Sequence, residues 1–108
     1  ASACLVPANG VYAVKVGIMA DGPHAASSAT FEGMMNIGMR PTFRGHQQTL
    51  EVYLFNFNGD IYGRELSVAF IRHIREEQRF DSADMLAAQL RCDEAEIKKL
   101  FEQDKANE

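Results

Sequence analysis

The sequence has few of the features that mark stapled, membrane-bound or nucleic-acid-binding proteins. It holds two cysteines, Cys4 and Cys92, far apart and with no CxxC spacing, so they read as free thiols of a cytoplasmic protein. No apolar run approaches the ~20 residues that cross a bilayer, and the N-terminus lacks a charged-then-apolar leader pattern. No basic run occurs and the formal charge is -4, which argues against a nucleic-acid or membrane partner. Neither GxGxxG nor GxxxxGK[ST] is present, so no phosphate-cradling motif can be named. The three histidines, His24, His46 and His73, fall in different elements without ligand spacing, and no metal site is expected on them. Internal repeats and low-complexity segments are absent. An initiator Met is also missing: the chain opens Ala1-Ser2-Ala3-Cys4, which fits a piece of a longer chain, a tag remnant, or removal of Met before Ala.

What is present suits a single domain. At 108 residues with 46% hydrophobic content, one core can be built without a metal or disulfide. The β-branched and aromatic stretch Val11–Met19 predicts a strand, introduced by Pro7-Ala8-Asn9-Gly10. A surface loop through Ala29 follows. Phe31–Ile37 is a second strand candidate, weakened by Gly33. Thr49–Phe57 is the clearest strand, and Glu65–Ile74 reads as its return partner in a hairpin turned around Asn58-Gly59-Asp60. After Phe80 the period changes. Asp81-Ser82 starts a helix with Met85, Leu86 and Leu90 on one face, and Asp93 is expected to cap a second short helix carrying Ile97, Leu100 and Phe101. Residues 103–108 should fray. Strands followed by helices predict an antiparallel β domain over residues 1–80 with a helical segment over 81–108. Four strands leave open edges, which closure into a barrel would remove; left open, they invite self-association.

Three groups of residues could carry chemistry. Strand alternation puts Glu51 on the face of Tyr53, Phe55 and Phe57, a lone acid among rings. Loss of hydration there would suit a general base, whereas an acid at an exposed strand end would have no such role. In Gly33–Phe43, Gly38 and Pro41 fix a tight backbone path that could present N–H groups to a ligand, while Met34, Met35 and Met39 read as core. The segment Arg75-Glu76-Glu77-Gln78-Arg79-Phe80 is either a solvated charged turn or a set of polar contacts ending in a ring that could stack. Asp81, Asp84 and Asp93 are better explained as caps and first-turn acids than as metal ligands.

Taken in order, LVPANGVYAVKV (from Leu5), MNIGMRPTF (from Met35), LEVYLFNFNGDIYG (from Leu50) and REEQRFDS (from Arg75) resemble the riboflavin kinase domain of bacterial bifunctional riboflavin kinase/FAD synthetases. The resemblance implies a mainly β fold, an antiparallel Greek-key β-barrel with C-terminal α-helices, here as a single incomplete kinase domain over 1–108. It implies transfer of the ATP γ-phosphate to the 5′-hydroxyl of riboflavin, giving FMN, with Mg2+. By the same resemblance Glu51 is the catalytic base, Leu54, Asn56 and Tyr62 line the nucleotide site, and Arg75, Gln78 and Phe80 bind flavin. An FAD synthetase domain is expected N-terminal to it in a parent protein. The family's Gly-x-Pro-Thr-Ala-Asn motif, whose Thr and Asn hold metal and phosphates, is not found in this sequence. That departure predicts impaired turnover, with a non-catalytic flavin- or nucleotide-binding module as the alternative.

Overall fold

A computed structural model describes residues 7–19, 28–59 and 65–106. β1 (Gly10–Met19) lies between two neighbours, β2 (Ser28–Thr42) and β4 (Leu66–Arg75), and is antiparallel to both. That position explains its near-continuous apolar sequence, because Val11, Tyr12, Ala13, Val14 and Val16 are all buried. β3 (Gly45–Leu54) pairs with the far side of β2, giving the order β3-β2-β1-β4. Three consecutive strands with the fourth returning beside the first is the Greek-key arrangement.

This order corrects the expected hairpin between the third and fourth strands. β3 turns instead onto β2, through a two-residue tip at Phe43 and Arg44 between the paired Thr42 and Gly45. The Asn58-Gly59 signal marks a loop between strands at opposite edges. β2 is also longer than expected, since Gly33 and Gly38 continue the strand. A Cβ on Gly33 would sit 2.6 Å from the carbonyl oxygen of Tyr53, so close strand approach, not a break, explains that glycine. Among the described residues the sheet does not close into a barrel, and β3 and β4 are its edges.

The two faces of the sheet bury separate clusters. Tyr12, Val14, Val16, Met35 and Ile37 form one, with Val52 and Leu54 of β3 and Leu66 and Val68 of β4 folded over it from both edges. Val11, Ala13, Met34 and Phe55 form the other, covered by Ile97, Leu100 and Phe101 of α1 (Ala83–Ala106). The spacing of those three residues is one helical stripe. Each fully buried side chain of this size contributes about 1.5–3 kcal/mol. Met39, unlike Met34 and Met35, is exposed, which corrects its reading as core.

One continuous helix replaces the two expected, and it runs through Gln103, where fraying was anticipated. No glycine or proline interrupts residues 83–106. Asp93 caps nothing: it is mid-helix and 2% exposed. Its carboxylate accepts from Arg75 Nε at 3.0 Å and Nη2 at 2.8 Å, and from Gln89 Nε2 at 2.9 Å. A buried carboxylate with three charge-assisted or amide donors is satisfied without any helix end. Register irregularities between β1 and β4 pass over Ile71 and Ile74, and bring Arg75 opposite Val11, within reach of the helix.

Candidate functional site

β3 alternates as its sequence requires: Val52 and Leu54 face away from the helix, and Glu51 and Tyr53 lie on the helix side. Past β3, Phe55 enters the helix-side core. Glu51 stands opposite Asn36 of β2. Beyond them, the segment after β4 crosses to the start of α1 and leaves a cleft of about 510 Å³ between strand edge and helix. Glu51, Asn36, Thr49, Gln78, Phe80 and Leu86 are among its walls. The size suits a small-molecule ligand. Three residues singled out from the sequence, Glu51, Gln78 and Phe80, therefore share one space.

The helix start is built locally. The Ser82 side-chain oxygen accepts the N–H of Met85 at 3.1 Å, and the Ser82 carbonyl accepts that of Leu86 at 3.2 Å. This is an N-cap, as Asp81-Ser82 predicted. Met85 is exposed and Leu86 lines the cleft, while Leu90 of the same expected face packs against the core.

Glu77 joins the crossing segment to the strand edge. Its Oε2 accepts the N–H of Met39 at 2.9 Å, and its Oε1 accepts Asn9 Nδ2 at 3.3 Å. A Cβ on Gly38 would lie 2.7 Å from that Oε2, so the glycine makes room for the carboxylate. The N–H that the Gly38–Pro41 path offers is thus taken within the protein. Arg75 is similarly engaged: besides Asp93, its guanidinium carbon lies 5.8 Å from the Phe80 ring centroid.

Of the two surroundings left open for Glu51, the structure has the exposed strand and not the aromatic enclosure. Its side chain is 45% exposed, with Arg40 Nη2 3.8 Å from Oε1. The Tyr53 hydroxyl donates to Oε2 at 2.9 Å. Burial of the Tyr53 hydroxyl, then its hydrogen bond to Glu51 and the charge of that carboxylate, raise the tyrosine above its usual value of 10.0. Phe55 and Phe57 are turned elsewhere, Phe55 into the core and Phe57 onto Phe31 at 5.0 Å between centroids.

The residues assigned to nucleotide are not gathered at this cleft. Leu54 packs into the cluster on the opposite face of the sheet. Asn56, at φ 56°, lines a separate cleft of about 380 Å³ with Lys15, Phe31, Glu32 and Lys105. Tyr62 lies outside the described residues. Sequence reasoning did not single out Asn36 or Arg40, and read Tyr53 only as one of the rings around Glu51. The β2–β3 register puts Asn36 opposite Glu51 and strand period puts Tyr53 on its face, whereas Arg40, paired with Gln47, reaches Glu51 only through its long side chain.

Comparisons with known proteins bear on the family and the fold. The family model described as riboflavin kinase (flavokinase) matches residues 1–101. The bifunctional riboflavin kinase/FMN adenylyltransferase of Haemophilus influenzae is 42% identical over 95 residues, which are 88% of this chain and 29% of that protein. That of Escherichia coli K12 is likewise 42% identical, over 88% of this chain and 28% of its own length. The RNA-binding riboflavin kinase RibR of Bacillus subtilis is 40% identical over 87% of this chain and 38% of its own. A solved structure titled as a macrolide-efflux protein from Streptococcus pneumoniae superposes with a TM-score of 0.70 at 36% identity, covering 87% of this chain and 28% of that one. The chain spans well under half the length of these relatives. With its Greek-key sheet, its packed C-terminal helix and a family match over nearly all its residues, the chain belongs to the riboflavin kinase family.

Proposed function

We propose that this chain phosphorylates riboflavin, moving the γ-phosphate of ATP to the ribityl 5′-hydroxyl and giving FMN and ADP. The observation that carries the reading is the convergence of Glu51, Gln78 and Phe80 on one cleft. Glu51 takes the proton of the attacking hydroxyl as its oxygen bonds to the γ-phosphorus and the bond to the ADP leaving group breaks. Phe80 offers a ring face to the isoalloxazine, and Gln78 a polar contact beside it. Arg75 serves that segment through Asp93 and its seat against Phe80. Leu54, Asn56 and Tyr62 remain the candidates for nucleotide contacts.

Phosphoryl transfer rests on positioning and on neutralising phosphate charge, so Mg2+ is proposed to accompany ATP. Among the described residues no group of three or more His, Cys, Asp or Glu could hold a metal ion, and the proton and ring contacts above do not depend on one. An FMN adenylyltransferase domain in the same polypeptide is proposed from the bifunctional relatives. A cytoplasmic setting is proposed from the two widely separated cysteines. No described helix is long and apolar enough to cross a membrane.

The test is conversion of riboflavin to FMN with ATP and Mg2+, run beside Glu51→Gln. Turnover that disappears in the variant supports the kinase reading with Glu51 as base. Equal turnover in both removes Glu51 from that role. Riboflavin retained without turnover leaves a binding module.

A further inference from the structure

We infer that Tyr53 is a positioning residue for the base, holding the Glu51 carboxylate by one oxygen so that the other is presented to the substrate hydroxyl. The inference rests on Glu51 being the base.

The strand order creates the need for such a residue. β3 is an edge strand of the described sheet, so Glu51 has side-chain neighbours from β2 on one flank only. A half-exposed glutamate on such an edge is free to sample several rotamers, each placing its oxygens differently. A base must lie within hydrogen-bond reach of the proton it removes, and displacement by about 1 Å can cost a hundredfold in rate.

Among the described residues, two side chains approach the carboxylate. Arg40 is 3.8 Å away, with side chains 69% and 45% exposed, and an exposed pair at that distance fixes little. Tyr53 is different. It follows Glu51 by two residues on the same strand face, and its hydroxyl makes a direct 2.9 Å bond to Oε2. The phenol is a stiff ring with two side-chain torsions, so holding it costs less entropy than holding an arginine. Its bond engages Oε2, leaving Oε1, which the exposed Arg40 approaches only to 3.8 Å, as the freer oxygen to take a proton. Because burial and the neighbouring carboxylate raise the phenol above the usual tyrosine value, it stays a donor throughout the neutral range.

The test compares wild type, Tyr53→Phe, Glu51→Gln and the double variant in this chain, with two readouts. The first is the order of the Glu51 side chain, measured by NMR relaxation on isotope-labelled glutamate. Tyr53→Phe should lower it clearly; unchanged order overturns the proposal whatever the turnover. The second is kinetic. Tyr53→Phe should lower kcat roughly ten- to a hundredfold, with KM for riboflavin and ATP held within about twofold. In the Glu51→Gln background the same change should do nothing further, since Tyr53 acts through Glu51. A full additional loss in the double variant, or a change confined to KM, overturns the positioning role while leaving Glu51 as base. Wild-type turnover in Glu51→Gln overturns the base reading itself, and with it this inference.

Discussion

Arg75, the last residue of β4, and Asp93, in the middle of α1, are joined by a buried ion pair in which Nε and Nη2 both reach the carboxylate. The pair fixes where the strand ends relative to the helix. It therefore also fixes the segment 76–82 that runs between them past the cleft.

Removing one partner should be costly. Asp93→Ala leaves a guanidinium only 18% exposed without its counter-charge and should lose about 3–5 kcal/mol of stability, read by urea unfolding. Replacing both residues with apolar side chains of similar volume should recover part of that loss. Equal stability of wild type and Asp93→Ala would mean that the pair is not formed in solution.

Phe80→Ala tests the ring contact. Loss of an aromatic contact is worth about 0.5–1.5 kcal/mol, so riboflavin should bind up to roughly tenfold more weakly, as read by flavin fluorescence quenching. Unaltered affinity would remove Phe80 from the flavin site.

Two glycines in β2 should respond differently to alanine. At Gly33 the added Cβ meets a backbone oxygen of the paired strand at 2.6 Å, which cannot move without disturbing the ladder. At Gly38 it meets the end of the Glu77 side chain at 2.7 Å, which can swing away. Gly33→Ala should therefore lower Tm more than Gly38→Ala. The second change should instead free the Met39 amide, seen as faster hydrogen exchange at that position.

The raised pKa of Tyr53 has a pH signature. The folded state holds this proton more tightly than the unfolded chain, so its contribution to stability is complete below the usual value of 10.0. It is lost as pH rises through the higher folded value. As pH rises from about 9 through the usual tyrosine value, wild type should lose more stability than Tyr53→Phe in parallel denaturation series. Identical pH slopes would show that the phenol is not perturbed.

Local chemistry was legible in the sequence wherever the answer is local. The alternation of β3 put Glu51 and Tyr53 on one face, Ser82 signalled the helix start, and Ile97, Leu100 and Phe101 marked the packed stripe. Partnership across the chain was not legible in the same way. Asn58-Gly59 suits a tight turn, but which strand β3 joins depends on burying Val52 and Leu54 against Met35 and Ile37. Asp93 has the side chain of a cap, and only the arrival of Arg75 from another element explains it inside a helix. Whether Glu51 is enclosed by rings or exposed on its strand was left open by the sequence: Phe55 and Phe57 share its face on paper, yet Phe55 packs into the helix-side core and, past the turn at Asn56, Phe57 packs edge-on against Phe31.

The strand order also sets a timetable for assembly. β2 and β3 meet through a two-residue tip, a closure of small entropic cost, whereas β1 can complete its second ladder only when Val11 finds Arg75 across most of the chain. Long closures are reached late, after local ones have formed. Since Arg75 is tied to Asp93, β4 and α1 should settle together as the final event, and the cleft between the β2–β3 edge and the start of α1 is completed only at that moment. Pulse-labelled exchange should find β2–β3 amides protected first; earlier protection in β4 would reverse the order.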